Sequence, residues 1–354
     1  MRRDNLFIVS LVALGVACGG GEMPAEDSAA EAEALADMGP TPMQAGAGTV
    51  LRVDPAFDAL VPVGASIEKL ADGFVFIEGP VWIPDESRLL FSDVRDNTIY
   101  QWTEAEGASV FMQPVFEGDL TGRGSVSSNG LTRDADGILV LAEHGYRQVT
   151  RLSADGIRTV VVDNYEGNQL NSPNDVVFGQ DGTLYFTDPP YGLAEAEEPS
   201  LRELDFNGIY RLAPGEDLEL LYSEQSRPNG IALSPDESTL YVANSDGNQA
   251  VWMAYDLGAD GVSNPRVFYD VTDVEAEGAP DGMKVDAAGN LFCTGPGGVW
   301  VFAPDGTHLG TIQPEEVPAN VGWGDDGRTL YMTARTGLYR IRLATEGVIP
   351  GPMP

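Results

Sequence analysis

The sequence predicts an all-β protein, a six-bladed β-propeller with a central metal site, and three observations lead there. A short pattern occurs six times: one Glu, Asn or Asp, an apolar strand, a tight turn, and a second apolar strand. The copies begin at Glu78, Asn129, Asn174, Asn229, Asp281 and Asn320, at spacings of 51, 45, 55, 52 and 39 residues. That period accommodates a four-stranded antiparallel sheet with its turns, and repeated sheets that bury their faces only against neighbours form a ring or a solenoid. The third observation is a spare strand, SIEKLA, ahead of the first copy. It can supply the outer edge of the short last unit and close a ring, whereas a solenoid would need capping repeats.

The copies read EGPVWIPDESRLLFSD, NGLTRDADGILVLAE, NDVVFGQDGTLYFTD, NGIALSPDESTLYVAN, DGMKVDAAGNLFCTG and NVGWGDDGRTLYMTA. Val, Ile, Leu, Tyr and Phe cluster in runs bounded by Asp-Gly or Pro-Asp turns, which marks the runs as strands. In the first four copies the turn Asp (Asp85, Asp136, Asp181, Asp236) lies seven residues after the lead residue. Outer strands follow as TIYQWT, RQVTRLS, NGIYRLA, AVWMAYD, GVWVFAP and GLYRIRL.

Ahead of the repeats, residues 1–18 form a lipoprotein-type signal. Arg2 and Arg3 precede an apolar stretch from Leu6 to Ala17 that is too short to span a bilayer, and small residues lead into Cys18, the expected lipidated residue. Gly15 stands where a Leu is usual; the alternative is a secretory signal cut near Ala17. Residues 19–48 read as a flexible acidic Gly/Ala/Pro tether, 49–346 as the propeller and 347–354 as a tail. The expected location is exported, in a bacterial periplasm or cell envelope and lipid-anchored, with membrane contact only through Cys18.

Net charge is −35, of which residues 1–48 contribute −5 through two Arg and seven acids. A surface so acidic repels phosphate backbones, which excludes nucleic acid as a partner. Two Cys and two His leave neither a disulfide framework nor a Cys- or His-rich metal site, and Cys293 reads as a buried apolar residue. There is no GxSxG elbow and no phosphate-binding GxxxxGK[ST] loop. Oligomeric state is not legible.

In a closed ring the lead residue starts the innermost strand, and the second strand returns to the same mouth. Glu78, Asn174, Asn229 and Asp281 then bring two carboxylates and two amide oxygens to the axis. Hard oxygen donors of this kind suit a divalent cation, Ca²⁺ first, with Mn²⁺, Mg²⁺ or Zn²⁺ as alternatives. A second layer at that mouth comprises Asp93, Glu143 with His144, Asp188 with Tyr191, Asn244, Thr294 and Arg335.

The motifs EGPVW, SNGLT, EHGYRQVTR, LNSPNDVVF, YFTDPPYG, RPNGIALSPDE and PDGMKVD resemble, in this order, the gluconolactonase and regucalcin family. The resemblance spans about Glu78 to Arg342 and implies one catalytic cation on the same four residues, with a small-molecule lactone as substrate. An Arg that helps hold the sugar in the animal regucalcin type is replaced by Ser172, so sugar-acid specificity does not follow from that motif. The function expected is metal-dependent lactone hydrolysis with Asp281 as proton acceptor and His144 as second choice. Asn129, Asn174, Arg147 and Tyr191 are expected to touch substrate. The alternatives are an organophosphate hydrolase of the diisopropyl-fluorophosphatase kind and a non-enzymatic calcium- or ligand-binding propeller.

Overall fold

A computed structural model describes residues 44–194 and 201–353. The signal segment, Cys18 and most of the tether lie outside the described residues. Six antiparallel blade sheets follow one another along the chain, with a separate two-stranded ribbon of Asn164–Tyr165 and Asn168–Gln169; blades 1 to 4 have their strands in chain order, while blades 5 and 6 each add strands from the N-terminal segment. Their innermost strands are Ile77–Ile83, Ser128–Arg133, Val176–Phe178, Pro228–Leu233, Met283–Val285 and Asn320–Gly324, for blades 1 to 6. The repeat read from sequence is thus the blade of a six-bladed propeller.

The ring closes through the N-terminal strand Ile67–Asp72, which pairs antiparallel with Gly337–Arg342 as the fourth strand of blade 6. Further pairing extends into the segment assigned on sequence to the tether. Gln44 and Ala45 pair with Lys69 and Glu68, and Gly48–Arg52 forms a fifth strand on blade 5, against His308–Pro314. The pattern of that strand is short and half-exposed, so periodicity alone does not reveal it. C-terminal residues also pack: Arg133 Nη1 donates to the carbonyls of Pro350 and Pro352 at 3.1 and 3.2 Å.

Blades adhere through large side chains on their flat faces. Trp82 of blade 1 stacks on Tyr331 of blade 6 at 5.7 Å, and Phe292 of blade 5 meets Trp323 of blade 6 edge-on at 5.0 Å. Such contacts combine area burial with favourable ring geometry. Cys293 is buried and unpaired in blade 5.

The repeated Glu-Gly, Asn-Gly and Asp-Gly pairs explain how the inner strands approach the axis. A Cβ on Gly79 would lie 2.0 Å from the Asn129 carbonyl oxygen, and one on Gly230 would lie 2.2 Å from that of Asp281. Only glycine lets adjacent inner strands come so close. In blades 1, 2 and 4 the strand register also shifts at this dipeptide, between Glu78 and Val81, Ser128 and Leu131, and Pro228 and Ile231. A bulge re-aims the side chain that precedes it, and here it turns the lead residue toward the axis.

Candidate active site at the propeller axis

Five of the six lead residues, Glu78, Asn129, Asn174, Asn229 and Asp281, line one axial cavity of about 580 Å³, together with His144 and Tyr191. A larger hollow of about 1070 Å³, lined by Asp181, Arg211, Glu216 and Glu237, and a more apolar one of about 460 Å³ lie elsewhere, but neither holds a lead residue. Glu78 is 3% exposed and Asn174 2%. Burial, then the nearby Asp175 carboxylate, pushes the Glu78 carboxyl up to about 8. Asp281 is raised well above the usual carboxylate range by burial, then by Glu78 and Asp175. Buried carboxyl groups crowded together in this way are stabilised by a shared cation.

Other polar atoms at the cavity are left without partners. Asp281 Oδ1 and Asn129 Oδ1 are buried without a hydrogen-bond partner. Asn229 donates its amide N–H to Ser245 Oγ at 2.8 Å, which fixes the orientation of its amide. Buried acceptors of this kind are costly unless something occupies them. Among the described residues no group of three or more His, Cys, Asp and Glu is placed to hold a metal. The axial set escapes that description because half of its proposed donors are amides.

His144 is 1% exposed, and its Nδ1 lies 2.6 Å from Ser125 Oγ. Ser125 Oγ also lies 3.3 Å from the Tyr191 carbonyl oxygen. If the hydroxyl proton goes to the Tyr191 carbonyl, Nδ1 carries the imidazole proton and Nε2 is the acceptor; if it goes to Nδ1, Nε2 is the donor. Nε2 is buried without a partner, and burial pushes the imidazole down to about 3, so it stays neutral. The Tyr191 hydroxyl, pushed up to about 12 by burial and then by Asp281, bonds Ser245 and Asn229.

Several residues expected from the sequence to act at this mouth are instead used up by the scaffold. Asn320 accepts from the Val321 N–H at 2.8 Å and bonds Glu78, so it braces a donor and does not join the cavity. Arg147, expected at the substrate, is 2% exposed, and its guanidinium donates to the carbonyls of Leu170, Asn171, Leu201 and Gln169. It ties residues 169–171 to Leu201. Arg147→Met should cost about 3 kcal/mol in urea denaturation, while kcat/KM at temperatures where the variant is folded stays near wild type.

Of the second polar layer, only His144 and Tyr191 reach the cavity. Asp93 caps the N–H groups of Val75 and Phe76 at 2.7 and 3.0 Å, and Asp188 caps those of Asn171 and Ser172, both at 2.7 Å. Glu143 accepts from Gln148 and Thr150, and Asn244 accepts from the Arg227 N–H. Thr294 donates to the Gly282 and Ala319 carbonyls, and Arg335 pairs with Glu277. Ser172 holds the turn before Gly192, donating to the Pro189 carbonyl at 2.5 Å. Sequence reasoning missed Phe76, Arg95, Ser125 and Ser245, which also line the cavity. Ser245 follows the chosen Asn244 by one place, while Ser125 lies in a loop with no signal of its own.

Residues 76–336 match the family model described as SMP-30/gluconolactonase/LRE-like region. The chain belongs to that family. It is 39% identical over 312 residues to a gluconolactonase of Zymomonas mobilis, covering 85% of this chain and 87% of the relative. A pentonolactonase of Haloferax volcanii is 28% identical, over 73% of this chain and 81% of its own length. The solved structure of a gluconolactonase from Xanthomonas campestris superposes with a TM-score of 0.77 at 31% identity, covering 86% of this chain and 98% of that one.

Proposed function

We propose that this protein hydrolyses a sugar-type lactone at the axial cavity, with a divalent cation, Ca²⁺ first, held by Glu78, Asn174, Asn229 and Asp281. The observation that carries the reading is the convergence of those four side chains, two of them mutually repelling carboxyls, on one cavity. The gluconolactonase and pentonolactonase relatives support the substrate class.

A dication held by Glu78, Asn174, Asn229 and Asp281 would supply positive charge for the carbonyl oxygen, where negative charge develops during hydrolysis. The oxygen of a water attacks the carbonyl carbon, and its proton passes to the Asp281 carboxylate. As the ring C–O bond breaks, that proton moves to the leaving alkoxide, so lactone and water give one hydroxy acid. Asn129 Oδ1 accepts a hydrogen bond from a substrate hydroxyl, His144 Nε2 accepts or donates one according to its tautomer, and Tyr191 forms a wall. A neutral His144 is a poor base at neutral pH, which favours Asp281 for the proton.

The test is pH-stat turnover of aldonolactones, homoserine lactones and a phosphotriester on one preparation. Aldonolactones should turn over fastest; preferred turnover of the phosphotriester would overturn the reading. Because Glu78 is raised to about 8 and Asp281 is also raised, the metal-free site holds protons that the cation must displace. Metal affinity should therefore rise with pH up to about 8, by as much as roughly tenfold per pH unit per displaced proton. A pH-independent Kd by calorimetry would contradict this.

We also propose lipidation of Cys18 and export, motivated by the Arg-flanked apolar segment before it. Mass spectrometry of the mature protein should find a lipid-modified Cys18 as the first residue. An unmodified Cys18 would leave a secreted, unanchored protein.

A further inference from the structure

Two residues depart from the sixfold repeat, and they meet. The position after the lead residue is Gly in four copies and Val in the sixth; in the third it is Asp175. Three places after the lead residue stand Val81, Thr132, Val177, Ala232 and Trp323, but in the fifth copy Lys284, one of only two lysines in the chain. Asp175 is 2% exposed, and Lys284 Nζ lies 3.8 Å from its Oδ2. Asp175 also accepts from the Val176 N–H at 2.9 Å and the Ile231 N–H at 3.3 Å, and Lys284 donates to the Met283 carbonyl at 3.0 Å. Neither residue lines the active-site cavity; Lys284 borders a separate apolar cavity of about 460 Å³. Asp175 nonetheless lies close enough to act electrostatically on both Glu78 and Asp281.

We infer that Lys284 is a built-in counter-cation that sets the charge of the axial site, and with it the valence of the ion the site selects. This rests on the metal reading above. Once a cation displaces the protons on Glu78 and Asp281, these two and Asp175 contribute three negative charges, and the Lys284 ammonium cancels one, leaving a formal charge of −2 that a dication neutralises. Without the ammonium the site would carry −3 and favour a trivalent ion; without Asp175 it would carry −1 and hold even a dication weakly. Lys284 acts on Glu78 both directly and through its pair with Asp175, and is a positioning residue, since it does not border the substrate cavity.

The experiment measures terbium and calcium affinities by calorimetry, with terbium luminescence sensitised by Tyr191 as a second readout, on wild type and four variants. Lys284→Met should raise the terbium-over-calcium affinity ratio roughly tenfold or more, given one unpaired charge at an effective dielectric near 20. Asp175→Asn should lower the ratio by a similar factor. The double variant Lys284→Met/Asp175→Asn, again at −2, should return to within about threefold of wild type, and Lys284→Arg should not change it. If Lys284→Met alone does not fold, as judged by circular dichroism, Asp175→Asn and the double variant decide. An unchanged ratio in folded single variants, or a double variant that does not recover, overturns the inference while leaving the metal reading intact. Wild-type protein that binds neither ion overturns both.

Discussion

Glu78→Ala and Asp281→Ala should each lower lactone turnover by roughly a thousandfold or more, a loss on the scale seen when a principal transition-state electrostatic group is removed. Either change deletes one of the two carboxylates at the cavity, so the dication would meet a site with too little charge and too few oxygens. The metal-free folds should remain intact. Deleting a carboxyl that burial and a neighbouring carboxyl both disfavour relieves repulsion, so melting temperature without metal should hold or rise. Near wild-type turnover with full metal content in either variant would show that these carboxylates are not ligands.

Removing the chain up to Gly73 should abolish cooperative folding. That cut deletes Ile67–Asp72, whose pairing with Gly337–Arg342 closes the ring, and with it Ile67, Leu70 and Ala71, each 2% exposed. Burial of the Ile and Leu alone is worth roughly 4 kcal/mol, a large part of the roughly 5–15 kcal/mol typical of a folded domain. The cut also uncovers the backbone of a central strand as an open edge. Starting instead at Asp54 removes Gly48–Arg52 from the outside of blade 5 and Gln44–Ala45 from the edge of blade 6, and should lower the melting temperature by roughly 5 °C while turnover persists. A cooperative calorimetric transition from the protein that starts at Gly73 would refute closure by this strand.

The ring and its lead residues were legible in the sequence because a blade repeats both its hydrophobic pattern and its Gly-assisted approach to the axis. Closure was legible for a related reason, since SIEKLA was an unassigned strand and blade 6 lacked an edge. The strand Gly48–Arg52 was not, because it covers an edge that already has four strands, so no deficit announces it. At the site, residue type alone could not tell a ligand from a brace. Asn320 and Asn229 open similar copies, yet the oxygen of Asn320 is consumed by Val321 while the amide nitrogen of Asn229 is consumed by Ser245. Asp93, Asp188 and Arg147 look functional as isolated charges, and the backbone groups they satisfy become visible only when the loops are in place.

The most direct test of the central claim is a stoichiometric titration. Chelator-treated protein, assayed by pH-stat on an aldonolactone while Ca²⁺ is added back, should recover activity linearly and break at one equivalent. The same titration of Asp281→Ala should show neither the recovery nor the break. Full activity surviving chelation, or activity restored equally in Asp281→Ala, would contradict an axial, cation-assisted lactone hydrolase.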